Sequence, residues 1–365
     1  MSKVYFTDMR TSFTENLPKK LTRLIDRAGL GTIDFDHKFV AIKIHFGEMG
    51  NLAYLRPQYA RALAAYIKER GGLPFLTDCN TLYVGSRKNA LEHIETAYIN
   101  GYTPYATGCQ VIIADGVRGT DEAYIPIGCD EVKTAKIGRA IADADIIISL
   151  NHFKGHEDAG FGGALKNLGM GSGSRAGKME MHYDGKPVVD RDRCRGCRKC
   201  ATICANDGIH YENSKAMIDH DNCVGCGRCI AICSFDAIKP HNSSSETSLN
   251  RRIAEYAYAV VKDKPNFHIN IAVDISPNCD CHPENDAPIV PNIGMFASFD
   301  PVAIDLAAAD AVNAMPANPR SALSEAECRC HDHFINVHPN TNWRVQIEHG
   351  EEIGLGSSEY ELIRI

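Results

Sequence analysis

Eight cysteines fall in two runs of identical spacing. "CRGCRKCATIC" places Cys194, Cys197, Cys200 and Cys204, and "CVGCGRCIAIC" places Cys223, Cys226, Cys229 and Cys233. Each run reads C-x2-C-x2-C-x3-C. Two-residue gaps let three thiolates wrap one face of an iron–sulfur cubane, while the small residues between them let backbone amides point at the sulfurs. The fourth cysteine starts a helical turn and reaches the other cluster. The predicted ligand sets are therefore crossed: Cys194, Cys197 and Cys200 with Cys233, and Cys223, Cys226 and Cys229 with Cys204. A zinc module is the competing reading, but zinc sites use two separated cysteine pairs rather than three consecutive two-residue gaps. The expected cofactors are two [4Fe–4S] clusters, which carry single electrons. The halves repeat every 29 residues and continue with matched residues, Asp207 and Ile209, then Asp236 and Ile238.

A second stretch, "NHFKGHEDAGFGGALKNLGMGSGSRAGKMEMH" (151–182), holds three histidines, three lysines and eight glycines. Glycines let backbone approach a bound group, and a helix N-terminus near residue 162 can take an anion. His152, Lys154, His156 and Lys166 supply acid, base and positive charge. A tightly packed helix–loop junction with solvated histidines is the alternative. A third stretch, "SPNCDCHPEND", holds Cys279, Cys281 and His282. In an extended segment the two thiols point the same way, and a soft thiolate pair suits iron, nickel, zinc or copper. "ECRCHDH", with Cys328, Cys330, His331 and His333, has a similar look. Cys79, Cys109 and Cys129 are scattered and read as core thiols.

Elements must position these groups. Strand-like runs ("KVYFTDM", "KFVAIKIHFG", "LPFLTDCN", "CQVIIADG", "ADADIIISLNHF", "FHINIAVDIS") alternate with amphipathic helical stretches such as "RPQYARALAAYIKERGG". The fold class expected is α/β, a doubly wound and mostly parallel sheet. The cysteine-rich segment interrupts that rhythm, so three parts are expected: 1–187, the first part of the α/β domain; 188–240, an inserted two-cluster domain; and 241–365, the second part with a tail that resists assignment from about 316. Ligands of such sheets lie beyond the carboxyl ends of the strands. There the predicted strands deliver His45, Asp78 and Asn80, Asp115, Asn151 with His152, Lys154 and His156, and Asp274.

Composition bounds the partners. The 365 residues are 44% hydrophobic and 23% charged, with a formal charge of −7. An acidic balance without a basic face argues against nucleic acid, and no apolar run has the length of a membrane span. Fifteen cysteines without a leader-like start argue for metal ligation in a cytoplasmic protein, not for a disulfide framework.

The paired cysteine runs resemble those of bacterial two-cluster ferredoxins. "NHFKGHEDAGFGGALKNLGMG", "KMEMH" and "ASFDPVAIDLAAAD" around such an insert resemble the domain-of-unknown-function family 362, whose members are often labelled Fe–S centre proteins. "HEDAGFGGALK" is more distantly similar to a segment of nickel-dependent lactate racemases. There a His is a general acid/base, a Lys anchors a nickel pincer nucleotide and a downstream His ligates metal. His156, Lys166 and His182 fall in that order. The glycines are shifted by one place, and neither the insert nor the C-D-C element has a racemase counterpart, so what carries over is a His/Lys/metal site.

The function expected is a redox enzyme of anaerobic metabolism. Electrons from a partner such as a ferredoxin, flavodoxin or reductase enter through the clusters. They reach a site where His156, Lys166, His152 and His45 are catalytic and Cys279, Cys281 and His182 hold a further metal or face a small anionic substrate. A non-enzymatic electron carrier and a metal or Fe–S assembly factor are the alternatives. The reading requires the insert to lie close to the histidine-lined edge.

Overall fold

In the computed structural model, residues 1–82, 85–183, 186–223, 225–240, 246–327 and 330–365 are described. Eight strands form one sheet: β1 (Ser2–Asp8), β2 (Phe39–Lys43), β3 (Leu73–Asp78), β4 (Gln110–Ile113), β5 (Ile146–His152), β6 (Asn266–Ala272), β7 (Gly294–Ser298) and β8 (Tyr360–Arg364). Their order is β8-β1-β7-β6-β5-β2-β3-β4. β7 runs antiparallel to both neighbours, with Tyr5 opposite Ala297 and His268 opposite Ser298. Every other pair is parallel, as where Asn270 meets Asn151 and Ile42 meets Ile148.

Helices cover both faces. On one lie α1 (Leu17–Arg27), α2 (Pro57–Lys68) and α3 (Ala90–Ile99), packed on Val40, Ile42 and Ile148. On the other lie α4 (Ala164–Ser172), α6 (Glu246–Val261), α7 (Pro301–Asn313) and α8 (Arg344–Glu352), packed on Ala41 and Ile147. Alternate residues of one strand thus feed two cores. β5 is buried at every position because both faces are covered. Between α4 and α6 runs α5 (Arg175–Tyr183). Gly169 sets the α4–α6 crossing, since a β-carbon there would collide with the Ile253 carbonyl. The tail beyond 316 is ordered by the core: Trp343 is fully buried, and β8 adds a parallel edge strand to β1.

The cysteine-rich segment leaves and rejoins the larger body at one place, where Pro187–Val189 pairs antiparallel with Ile238–Pro240. Inside it, Ile209–Glu212 and Lys215–Ile218 form a hairpin, and Lys199–Ile203 and Arg228–Ile232 are one-turn helices. The 29-residue repeat recurs in the backbone. Left-handed residues stand at Gly196 and Gly225, at Arg198 (φ 65°) and Gly227 (φ 66°), and at Asp207 and Asp236. Among the described residues, no helix is long and apolar enough to cross a membrane.

Candidate functional site

The carboxyl ends of β2, β3 and β5 open onto a cavity of about 90 Å³. His45, His152, His156, Lys166, His182 and Cys281 all stand in its wall, with Asp78 and Lys154. Cys279 lies fully buried. Asp274 and Asp115 do not join them. Asp274 pairs with Arg56 at 3.2 Å, and Asp115 accepts hydrogen bonds from the backbone and side-chain nitrogens of Asn80.

Close backbone approach assembles the site. The Gly155 N–H donates to the Ser276 carbonyl at 2.9 Å, and a β-carbon on Gly155 would strike the Pro277 carbonyl. That approach sets Lys154–His156 against the segment carrying the thiols. The segment is a turn, not the extended run expected from its sequence: the His282 N–H donates to the Cys279 carbonyl at 3.1 Å. The Glu48 N–H fixes the turn by donating to the Asp280 carbonyl at 2.8 Å. Among the described residues, three groups bring ligand atoms within 4.8 Å of one another and could hold a metal ion: His156, Cys279 and Cys281; Glu157, Cys281 and His282; and His156, Glu157 and Asp158. His182, expected as a metal ligand, belongs to none of them.

The charge pattern favours a thiolate at Cys279. The hydrogen bond from the Cys281 thiol lowers its pKa far below the usual thiol range. Burial opposes this, but Lys166, Lys154 and a hydrogen bond from His156 reinforce it. Lys166 donates to Cys279 Sγ at 3.1 Å. Burial alone would lower the lysine's pKa, but Cys279, Cys281 and Glu157 together raise it, so the ammonium persists. The Cys281 pKa moves up, because its proton is shared with Cys279 and because partial removal from water disfavours the thiolate.

The histidines separate by their partners. Both the Asp158 and Ala159 N–H groups donate to His156 Nδ1 at 3.0 Å. A ring that accepts at Nδ1 carries its proton on Nε2, which turns toward Cys279. His152 corrects the catalytic expectation. Its Nδ1 faces the Asp280 carboxylate at 2.9 Å and its Nε2 the Val273 carbonyl at 2.7 Å, so neither nitrogen is left for proton transfer. His45 corrects it too. Its Nδ1 accepts from the Gly47 N–H, and its Nε2 lies 2.8 Å from Arg87 Nη1. Burial, then Arg87, push its pKa far down, so it serves as a neutral strut. Burial, with His156, Lys166 and Lys178 nearby, likewise lowers His182 to about 3.

The helix N-terminus expected to receive an anion is already capped. The Asp305 carboxylate accepts from the Ala164 and Leu165 N–H groups at 2.7 and 2.9 Å. Burial raises the Asp305 pKa to about 6. The site's anion-seeking group is one that sequence reading missed. Arg87 is fully buried in the cavity wall and binds Glu48 through Nε at 3.0 Å. Its Nη2 finds no hydrogen-bond partner among the described residues. Glu157, half-buried, and Asp280, fully buried, were missed as well, since nothing in their sequence signals that they face the site.

The cysteine-rich segment forms two further cavities of about 20 Å³ each. Cys194, Cys197, Cys200 and Cys233 line one, and Cys204, Cys223, Cys226 and Cys229 line the other. Backbone N–H groups point at sulfurs: Ala216 at Cys194, Gly208 at Cys204 and Ala237 at Cys233, at 3.3–3.4 Å. Cys194 and Cys200 share an apolar cluster with Met179, Ile230 and Leu82. Leu82 also stands in the wall of the histidine-lined cavity. Arg175 ties the two regions. It donates to the carbonyls of Thr81, in the cavity wall, and Lys88, and it packs against Gly227. In the tail, Cys328 lies outside the described residues. Cys330 contacts Asn336, and His333 the Met315 carbonyl. Cys79 and Cys109 are buried and Cys129 is half-buried.

Residues 40–310 match the model of the family described as "Domain of unknown function (DUF362)". A thylakoid-associated protein of Synechocystis sp. is 26% identical over 147 residues, 40% of this chain and 40% of that protein. Lactate racemase apoprotein from Thermoanaerobacterium thermosaccharolyticum superposes with a TM-score of 0.42 at 11% identity, covering 75% of this chain and 51% of its own. A protein from Thermotoga maritima gives 0.42 at 13% identity, covering 83% and 58%. The chain therefore spans two fifths to three fifths of the length of these similar proteins.

Proposed function

The chain belongs to the DUF362 family, and from that premise and the geometry above we propose that it is an iron–sulfur oxidoreductase. Cys194, Cys197, Cys200 and Cys233 would hold one [4Fe–4S] cluster, and Cys204, Cys223, Cys226 and Cys229 the other. When bound, such clusters supply single electrons at low potential. The fit is supported by four thiols around each small cavity and by backbone N–H groups aimed at the sulfurs.

The observation that carries the reading is Leu82, one side chain shared by the apolar shell of Cys194 and Cys200 and by the histidine-lined cavity. In that cavity Arg87 Nη2 would bind a small anion such as a carboxylate, since a buried donor without a partner favours a charged acceptor, with the Lys154 ammonium adding positive charge in the same wall. His156, protonated at Nε2, would give the proton that reduction of a small substrate consumes. Cys197 is exposed, which supports electron entry there from a ferredoxin, flavodoxin or reductase. Ligand thiolates on the surface suit a reducing, cytoplasmic setting.

The test is anaerobic reconstitution followed by iron analysis and EPR, then addition of small carboxylates to the dithionite-reduced protein. Reoxidation of the clusters in the wild type, lost in His156→Gln, supports the reading. Fully loaded protein that no anion reoxidises would leave only an electron carrier.

A further inference from the structure

The Cys279/Cys281 pair fits no metal site well. A soft divalent ion there would need three or four lone pairs. His156 offers the proton-bearing Nε2, because its Nδ1 already takes two backbone N–H groups. The Lys166 ammonium, 3.1 Å from Cys279 Sγ, already provides the positive charge that a metal would bring. What remains is two sulfurs within 4.8 Å of each other on one turn, one at the cavity wall and one behind it. Both belong to the turn closed by the His282 N–H on the Cys279 carbonyl, so one short stretch of backbone carries the two sulfurs.

We propose that Cys279 and Cys281 are a redox-active dithiol, cycling between a thiol–thiolate pair and a disulfide as the two-electron terminus of this site. The proposal rests on the electron-delivery reading above. Oxidation forms the Sγ–Sγ bond, breaks the Cys281 S–H bond, and releases two electrons and one proton. The two oxidised clusters of that reading take up these electrons, one each; reduction is the reverse, each reduced cluster returning one electron. The proton has a built route. Cys281, Glu157 and His282 place ligand atoms within 4.8 Å of one another, Glu157 Oε1 lies 2.6 Å from His282 Nε2, and the His282 side chain is 41% exposed. Burial opposes ionisation of Glu157, but the facing His156 and the hydrogen bond with His282 outweigh it.

The test uses full-length protein prepared anaerobically. Samples poised with dithionite or with diamide are quenched by an alkylating reagent, and the peptide containing both cysteines is weighed. The reduced sample is expected to carry two alkyl groups. The oxidised one should carry none and be lighter by two hydrogens. In reductive titration, the wild type should take up two more electrons than Cys281→Ser, with unchanged cluster EPR. Lys166→Gln, which keeps both thiols, should shift the couple's midpoint and slow alkylation. Equal electron uptake by wild type and Cys281→Ser overturns the proposal. So does a bound zinc or nickel ion that shields both thiols in every state and is lost in Cys281→Ser. Disulfide cycling with a chemical reductant in protein without cluster EPR would uphold the dithiol while sinking the electron-delivery reading.

Discussion

Lys166 Nζ lies 3.1 Å from Cys279 Sγ, a part-buried ion pair in which each partner preserves the other's charge. Burial by itself would neutralise both, so the lysine and the thiolate stand or fall together. The pair comes from opposite ends of the chain's chemistry, a glycine-rich helix and a C-D-C turn.

Lys166→Gln is expected to raise the titration of Cys279, because its nearest cation is gone. Alkylation at neutral pH should slow on the order of tenfold, as the thiolate fraction falls. Rates measured across pH, with circular dichroism to confirm folding, check this. An unchanged profile would show that Lys166 does not set the thiolate.

His156→Gln should lower turnover of any reoxidising anion by about 10²–10⁴-fold, the usual worth of a positioned proton donor. His152→Gln should instead lower stability, since it breaks bonds to Asp280 and Val273 without removing a proton donor. Paired kinetics and urea melts separate the two roles.

Crossed ligation makes a specific demand. Cys233→Ser should remove the cluster on Cys194, Cys197 and Cys200, although it follows the other run in sequence. Iron content should fall by about half, and the spin coupling between two reduced clusters should vanish from the EPR spectrum. If Cys233→Ser instead disturbs the cluster on Cys223, Cys226 and Cys229, the crossed sets are wrong.

Leu82→Ala opens a gap between the cysteine-rich segment and the cavity wall. It should cost about 3 kcal/mol, as large-to-small core changes do. It should also slow reoxidation by a cavity ligand while leaving cluster spectra intact. Stopped-flow absorbance at saturating anion is the measurement.

His268 tests the pH response of the sheet. It joins β6 to Ser149 of β5, and burial lowers it to about 3. In the unfolded chain a His titrates near 6.5, so its stabilising contribution is full above about pH 6.5 and is lost as pH falls toward 3. His268→Gln should therefore flatten the stability profile by about 1.4 kcal/mol per pH unit near pH 5. Urea unfolding of both proteins across that range decides it.

Sequence alone determined what short-range spacing can encode. Three consecutive two-residue gaps define the cysteine runs, β-branched continuity marks buried parallel strands, and polar strand ends predict which edge carries a site. His45, His152, His156, Lys166 and His182 were legible in this way as neighbours. Their roles were not, because a role depends on which atom faces which: Asp280 and Val273 at His152 and Arg87 at His45 come from distant segments, and at His156 the nearby Asp158 and Ala159 N–H groups reach Nδ1 only because the chain turns there. Only tertiary structure decided that Asp305 closes the helix end expected to hold an anion, that the C-D-C segment turns instead of extending, and that Leu82 joins the two cysteine-bearing regions. The physical reason is that burial and hydrogen-bond direction arise from contacts between residues far apart in the chain, and no local pattern records them.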